Sequence, residues 1–316
     1  MKIVTRLLKL IWNGVTSVLK LDINDRLLAI AMILPATVLI IVFALYPAFQ
    51  GLMVSFFHVE PATLERTYRG TENYDALLHN DLFWESLIRS IRLLTISTFF
   101  QLIIGLGISL LVHQELKGRN LVRGIVLFPY LVPAIVIALT WRLMLDPSLG
   151  AMRVVNNFLF DHGMIERPIA IFSKPNTTFY FVIIANIWKY TPFFVIMLLA
   201  RLQVIPVEQE EAAKLDGANS WQIFRYITLP WLMPVILISL LLRTIWTFNE
   251  FDMVYLFVRG GPLFGTTTLP VLVNHLAFTN REIGQAAATA SIMVVTLLIV
   301  SWVYFYLYAR AERELS

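Results

Sequence analysis

The chain of 316 residues contains no cysteine, which excludes a disulfide framework, a thiolate metal site and a cysteine nucleophile. It is also poor in charge. Asp, Glu, Lys and Arg make up 15% of it and hydrophobic residues 58%, where a soluble domain has about 25% and roughly 45–50%. The charge is missing in blocks: Leu27 to Phe57 has no acidic or basic residue, and neither does 283–309. About 20 apolar residues in a helix cross the roughly 30 Å hydrocarbon core of a bilayer, so each run is long enough to span. Catalytic signatures are absent as well. There is no GxxxxGK[ST] phosphate loop, no HExxH and no serine in a nucleophile elbow, and His58, His79, His113, His162 and His275 are scattered. The net charge of +4 forms no single basic patch, so nucleic acid is not an expected partner. The chain reads as an all-α integral membrane protein that is not an enzyme and holds no metal or cofactor of its own.

Six spans are expected, at about 28–54, 88–112, 122–145, 178–201, 229–250 and 285–309. If both termini face the cytoplasm, the inner loops 1–26, 113–123, 201–228 and 310–316 hold 13 Lys and Arg, against 7 in the longer outer loops. Cytoplasmic loops carry the Lys/Arg excess, which sets that orientation. Residues 1–26 form an N-terminal segment ahead of a single transmembrane domain, 27–316. Its first twenty residues mix Lys2, Arg6, Lys9 and Lys20 with apolar residues. The apolar run that follows is too long for a signal-peptide h-region, and an amphipathic helix on the inner leaflet is expected.

The oily pattern is interrupted at 205–230, "IPVEQEEAAKLDGANSWQIFRYITLP". Pro206 suits the first turn of a helix, and Glu208, Glu210 and Glu211 complement its dipole. Lys214 follows Glu210 by four residues, the favourable order for a helical pair. Asp216 and Gly217 end the helix, and Asn219 or Ser220 caps a second one running through Phe224 toward Pro230. A solvated hairpin would need no more than this. Ala212 and Ala213, however, give the first helix a low profile, and Trp221 and Phe224 place large apolar groups in a cytoplasmic loop. The loop reads as a docking element for a soluble protein.

Glu211-Ala212-Ala213, Gly217, Ile227 and Leu229-Pro230 match the pattern EAA-x3-G-x9-I-x-LP at every defined position. In this the chain resembles the membrane subunits of binding-protein-dependent ABC importers. "LFPYLVPAIVIALTWRLM", "NIWKYTPFFVIMLLARL" and "FNEFDMVYLFVRGGPLFGTTTL" are similar to the maltose-type first permease subunit of the carbohydrate branch. The resemblance implies the type I importer fold in the cytoplasmic membrane of a prokaryote. It implies that Glu211, Ala212, Ala213, Asp216, Gly217, Trp221, Phe224, Leu229 and Pro230 couple to an ATPase. The implied partners are a second homologous permease, two ATPase subunits that bind ATP and Mg, an extracytoplasmic solute-binding protein, a carbohydrate substrate and membrane lipid.

The resemblance also implies a substrate cavity among spans three to five, where Pro129, Pro133, Pro192, Pro230 and Pro234 permit kinks. Asn186, Lys189, Tyr190 and Phe193 run i, i+3, i+4, i+7 and share one helical face, and Arg243, Trp246, Thr247 and Glu250 repeat the spacing. Tyr130 maps to another pocket position. Rings beside hydrogen-bonding groups suit a sugar. Lys189 lies near mid-span, where an unpartnered lysine costs at least about 2.5–3.5 kcal/mol. Either Lys189 and Arg243 attract an acidic sugar, or they pair with Glu250 or Asp252 at an outer gate; sequences related through Trp-Lys in span four favour a neutral or mildly polar sugar. The rival function is a secondary transporter in which Lys189, Arg243 and Glu250 relay protons, a reading that leaves the 205–230 loop without a role.

Overall fold

The computed structural model describes residues 25–114 and 118–313; the amphipathic helix expected over the first twenty residues lies outside them. The chain divides into two compact units, Met1–Met53 and Val54–Ser316.

The described part of the first unit is one long apolar helix. It comprises α1 (Asp25–Ile40), a π turn (Ile41–Leu45) and most of α2 (Tyr46–Val54). The π turn has a local cause. Pro47 has no N–H to give, and its ring would crowd the carbonyl four residues back. Widening the preceding turn, with the Tyr46 N–H reaching back to Ile41 O, admits the proline without breaking the helix.

The second unit opens with a short antiparallel hairpin, β1 (Phe57–Val59) and β2 (Arg66–Tyr68), with Phe57 opposite Tyr68. The short helix α3 (Glu72–Leu78) holds the hairpin: Asn73 donates to Ser55 O at 2.8 Å and Phe57 O at 3.0 Å. Helix α4 (Asp81–His113) is capped by Asn80, whose side chain accepts from the Leu82 N–H. It packs along α8 (Pro175–Leu202). The contact is close because small residues line it. Ser97, Gly105 and Ser109 are buried on that face of α4, and a Cβ at Gly105 would stand 2.6 Å from Phe194 Cβ. Small-residue faces of this kind let membrane helices approach closely.

The third expected span is not one helix. It divides into α5 (Arg119–Leu131) and α6 (Ala134–Met144), bent by 95° at the Val132–Pro133 break. Val132 is extended, as a residue before proline prefers. Beyond it lie α7 (Ala151–Asp161) and a 3-10 turn, Ile171–Ser173, on which α8 is seated.

The loop after α8 contains α9 (Val207–Leu215) and α10 (Ser220–Ile223). A π turn, Phe224–Thr228, joins α10 to α11 (Leu229–Phe248), so Ser220–Phe248 forms one span-length helix of 29 residues. The expected start at 229 is therefore corrected: the second helix of the loop and the fifth span are continuous. Pro230 had suggested a boundary, but the π turn accommodates it as the earlier one accommodates Pro47. Helices α12 (Asp252–Val258) and α13 (Leu269–Asn274), with the π turn His275–Thr279, lead to α14 (Ile283–Arg313).

Among the described residues, five helices are long and apolar enough to cross a membrane, and the bent α5–α6 pair makes a sixth span if counted as one. One apolar core joins α4, α6, α8 and α12 through Leu93, Ile137, Val182, Met253 and Phe257. Another joins α8 to α11 through Phe194, Leu198, Leu202, Leu232 and Ile236.

Candidate functional site

The pathway residues named from sequence come together between α5, α8 and α11, and Gln101 of α4, which sequence reasoning missed, ties them. Gln101 is fully buried. Its amide donates to Asn186 Oδ1 at 3.0 Å and Asn186 O at 3.2 Å, and its carbonyl accepts from Arg243 Nε at 3.1 Å. Arg243 also donates to Thr247 Oγ1 at 2.9 Å, and its guanidinium lies 4.1 Å from the centre of the Tyr190 ring. A desolvated cation over an aromatic face gains about 2 kcal/mol. The available signal was one amide in the otherwise apolar run "STFFQLIIGLG", since a polar group at that depth needs an internal partner.

Lys189 answers the question of the mid-span charge differently from either expectation. Its Nζ donates to Val132 O at 2.6 Å. The extended conformation at Val132 takes that carbonyl out of the helical ladder, and a carbonyl left bare in hydrocarbon is costly. The lysine and the broken helix thus satisfy each other. Lys189 also lies 5.1 Å from the Tyr190 ring centre. The four ion pairs among the described residues include neither Lys189, Arg243, Glu250 nor Asp252, so the expected direct pairing across an outer gate does not form.

Glu250 is instead held by hydrogen bonds. Tyr190 Oη donates to one carboxylate oxygen at 2.9 Å and the Met253 N–H to the other at 3.1 Å. Helix α11 ends at Phe248, so Glu250 lies past it, not on the helical face that its spacing suggested. The change of direction aims Glu250 and Asp252 at a cavity of about 330 Å³, lined also by Tyr190, Trp246, Asn249 and Phe251. That volume is at the lower end of the range for small-ligand clefts. Toward α5 the aromatic surface continues. Phe193 contacts Trp246 with ring centres 5.3 Å apart, and Tyr130 lies 6.5 Å from both Tyr190 and Phe193. Trp246 is 44% exposed in the chain by itself.

The second candidate site is the 205–230 loop. Pro206 is the N-cap of α9, one position before the place expected for it, and Asp216 is its C-cap. Gly217 has φ +82°, which glycine adopts without a Cβ penalty. Asn219 caps α10 in a reciprocal capping box with Gln222. Glu210 and Lys214 form no ion pair among the described residues. The loop is tied to the spans through Trp231. Its indole donates to Gln209 Oε1 at 2.9 Å, while Arg201 donates to its carbonyl at 3.0 Å and lies against its ring at 5.0 Å. What this loop presents outward includes large apolar groups: Leu215 is 89% and Trp221 68% exposed, with the half-buried Phe224 ring tilted against Trp221 at 5.5 Å. Glu211 and Ala212 are exposed, Ala213 half-buried, and Leu229 and Pro230 half-buried at the root.

Residues 101–313 match the family of binding-protein-dependent transport system inner membrane components. The chain is 34% identical to the trehalose/maltose transport system permease protein MalF of Thermococcus litoralis, over 93% of this chain and 97% of that one. It is 32% identical to the sulfoquinovosyl glycerol transport system permease protein SmoG of Agrobacterium fabrum, over 90% and 91%. Among solved structures it is similar in fold to a chain of a bacterial ABC transporter involved in import of the acidic polysaccharide alginate. The TM-score is 0.78 at 24% identity, covering 92% of this chain and 97% of that one.

Proposed function

This chain belongs to the binding-protein-dependent transport system inner membrane components, and from that premise we propose how it works. It is the permease subunit of an ATP-binding-cassette sugar importer, forming half of the translocation pathway. A second homologous permease completes the pathway. Two ATPase subunits hold ATP and Mg, and an extracytoplasmic solute-binding protein delivers the sugar in the cytoplasmic membrane of a prokaryote. The permease itself catalyses no reaction. The secondary-transporter reading has no support.

The carried sugar is neutral. One observation supports this: Lys189 and Arg243 each have partners inside the protein, while two carboxylates and four aromatic or amide side chains face the cavity. Hydroxyls donate well to carboxylates, and aromatic faces accept the apolar C–H side of a pyranose. A uronate or sulfonate would meet Glu250 and Asp252 as like charges, which is unfavourable in a partly desolvated cleft. The relatives named above transport both neutral and acidic sugars by their names, so the choice rests on this cavity. Reconstituted with its binding protein and ATPases, the complex should show ATP hydrolysis stimulated by a neutral disaccharide and not by its uronate. Stimulation by the acidic sugar alone would overturn the proposal.

Coupling runs through 205–230. The exposed Leu215 and Trp221, with the half-buried Phe224 beside Trp221, on a loop fixed to α8 and α11 by Arg201, Gln209 and Trp231, support a plug seated in a groove of the ATPase. Ala212 and Ala213 allow close approach, and Gly217 sets the angle between α9 and the long helix that starts at Ser220. ATPase closure then moves the helix bundle as a body between outward- and inward-facing arrangements.

A further inference from the structure

We infer that the crevice between the end of α4, the start of α5 and the end of α8 binds one anionic phospholipid, its phosphate on Arg123. The crevice has a volume of about 230 Å³, and its wall is apolar except for Arg123 and Gln203. Arg123 Nε is buried and has no hydrogen-bond partner. Among the described residues Arg123 forms no ion pair, and no carboxylate lines the crevice. An arginine stays charged in a protein, and a buried donor left unpaired costs free energy. The geometry therefore asks for an anion from outside the chain. Arg123 stands in the second turn of α5, a helix of 13 residues, and the positive end of the helix dipole favours the same charge.

The crevice does not end at the arginine. Val126 lines it and also lines a larger groove of about 860 Å³ that continues between α4, α5 and α8 past Ile104, Ile108, Ile125, Pro129 and Ile187. Thr191, a polar residue in that wall, donates its hydroxyl back to Ile187 O at 2.7 Å, and apart from the tips of Tyr180 and Trp188 the groove offers hydrocarbon. A free anion has no use for such a groove, and a zwitterionic phospholipid brings its own headgroup cation beside the phosphate that would meet Arg123. An anionic phospholipid satisfies both ends. The Lys/Arg distribution places Arg123 at the cytoplasmic leaflet, where basic pockets between spans recruit anionic headgroups. The site requires only that the chain spans a membrane and is independent of the sugar carried.

The test uses the assembled transporter in nanodiscs containing a photoreactive phosphatidylglycerol or the matching phosphatidylcholine. Phosphatidylglycerol should label peptides from 121–131 and 195–203 in preference to phosphatidylcholine. Arg123→Gln should reduce that labelling about fivefold, the size expected for one basic group at an anionic membrane surface. Arg153→Gln, which removes an exposed arginine on α7, should leave it unchanged. Unlabelled phosphatidylglycerol should compete on the unaltered protein where phosphatidylcholine does not, a readout that needs no variant to fold. Equal labelling by both lipids, undiminished labelling of Arg123→Gln, or photocross-links from the groove to a helix of the second permease in place of lipid would each overturn the site.

Discussion

The mid-span network around Arg243 and the loop at 205–230 are opposite responses to the same physical problem. In the network, polar groups lie in oil, and the chain supplies partners for them itself: Gln101 to Arg243 and Asn186, Val132 O to Lys189, Tyr190 to Glu250. In the loop, apolar groups lie in water, and the chain leaves Leu215 and Trp221 uncovered. A buried charge must be satisfied before the fold is stable, because hydrocarbon offers no substitute for water. An exposed tryptophan costs much less and can wait for another protein. The difference separates what holds this chain together from what it leaves uncovered.

That comparison breaks most severely at Gln101. Gln101→Leu removes a partner from both Arg243 and Asn186, and the loss should approach about 3 kcal/mol, the upper range for a hydrogen bond to a charged group. The yield and thermal melting of the assembled complex measure it, and Gln101→Glu, which keeps an acceptor for Arg243, should lose less. An unchanged melting profile for Gln101→Leu would show that Arg243 is satisfied from elsewhere.

At the loop, Gly217→Val forces a β-branched residue to positive φ, at a cost of about 1–3 kcal/mol. No other atom lies within 4 Å of a Cβ there, so the effect is on backbone geometry alone. Sugar uptake should fall while ATP hydrolysis by the complex persists. Wild-type uptake would reduce the loop to a connector.

Lys189 sharpens the comparison by testing whether a pathway charge serves structure or substrate. Lys189→Met bares the Val132 carbonyl and should cost about 1–2 kcal/mol, the scale for interhelical hydrogen bonds in membranes. Neutral and acidic sugars should lose uptake alike, and Lys189→Gln, which restores a donor, should recover part of it. A defect confined to acidic sugars would return the lysine to the substrate.

The smallest effect on the fold is expected at Trp221. Trp221→Ala should alter the stability of the permease by less than about 0.5 kcal/mol, as for other exposed positions, while reducing co-purification of the ATPase. Loss of stability without loss of assembly would mean that Trp221 packs within this chain after all.

Much of this architecture was legible in advance because membrane spans are written in composition. The uncharged runs 27–57 and 283–309 are helical, the first up to Val54, since a chain in hydrocarbon must close its own backbone hydrogen bonds. The 205–230 loop was legible for the converse reason: caps, a glycine at the turn and an EAA pattern are local signals, and Asn219, Asp216 and Gly217 take those roles in the structure. The continuity of Ser220–Phe248 was not legible, because Leu229-Pro230 reads as a boundary unless a π turn absorbs it.

Sequence alone determined which segments are long and apolar enough to span, where the 205–230 loop lies and which charges needed an explanation. Only the tertiary structure decided how those charges are answered. Spacing places Lys189 and Arg243 on helical faces, but their partners, Val132 O and Gln101, lie 57 and 142 residues away in the chain. Val132 O is an acceptor only because α5 and α6 break by 95°, and Gln101 is within reach only because Gly105 and the serines of α4 let α8 approach. Periodicity reports direction within one helix; satisfying a buried charge depends on the atoms that another helix brings to it.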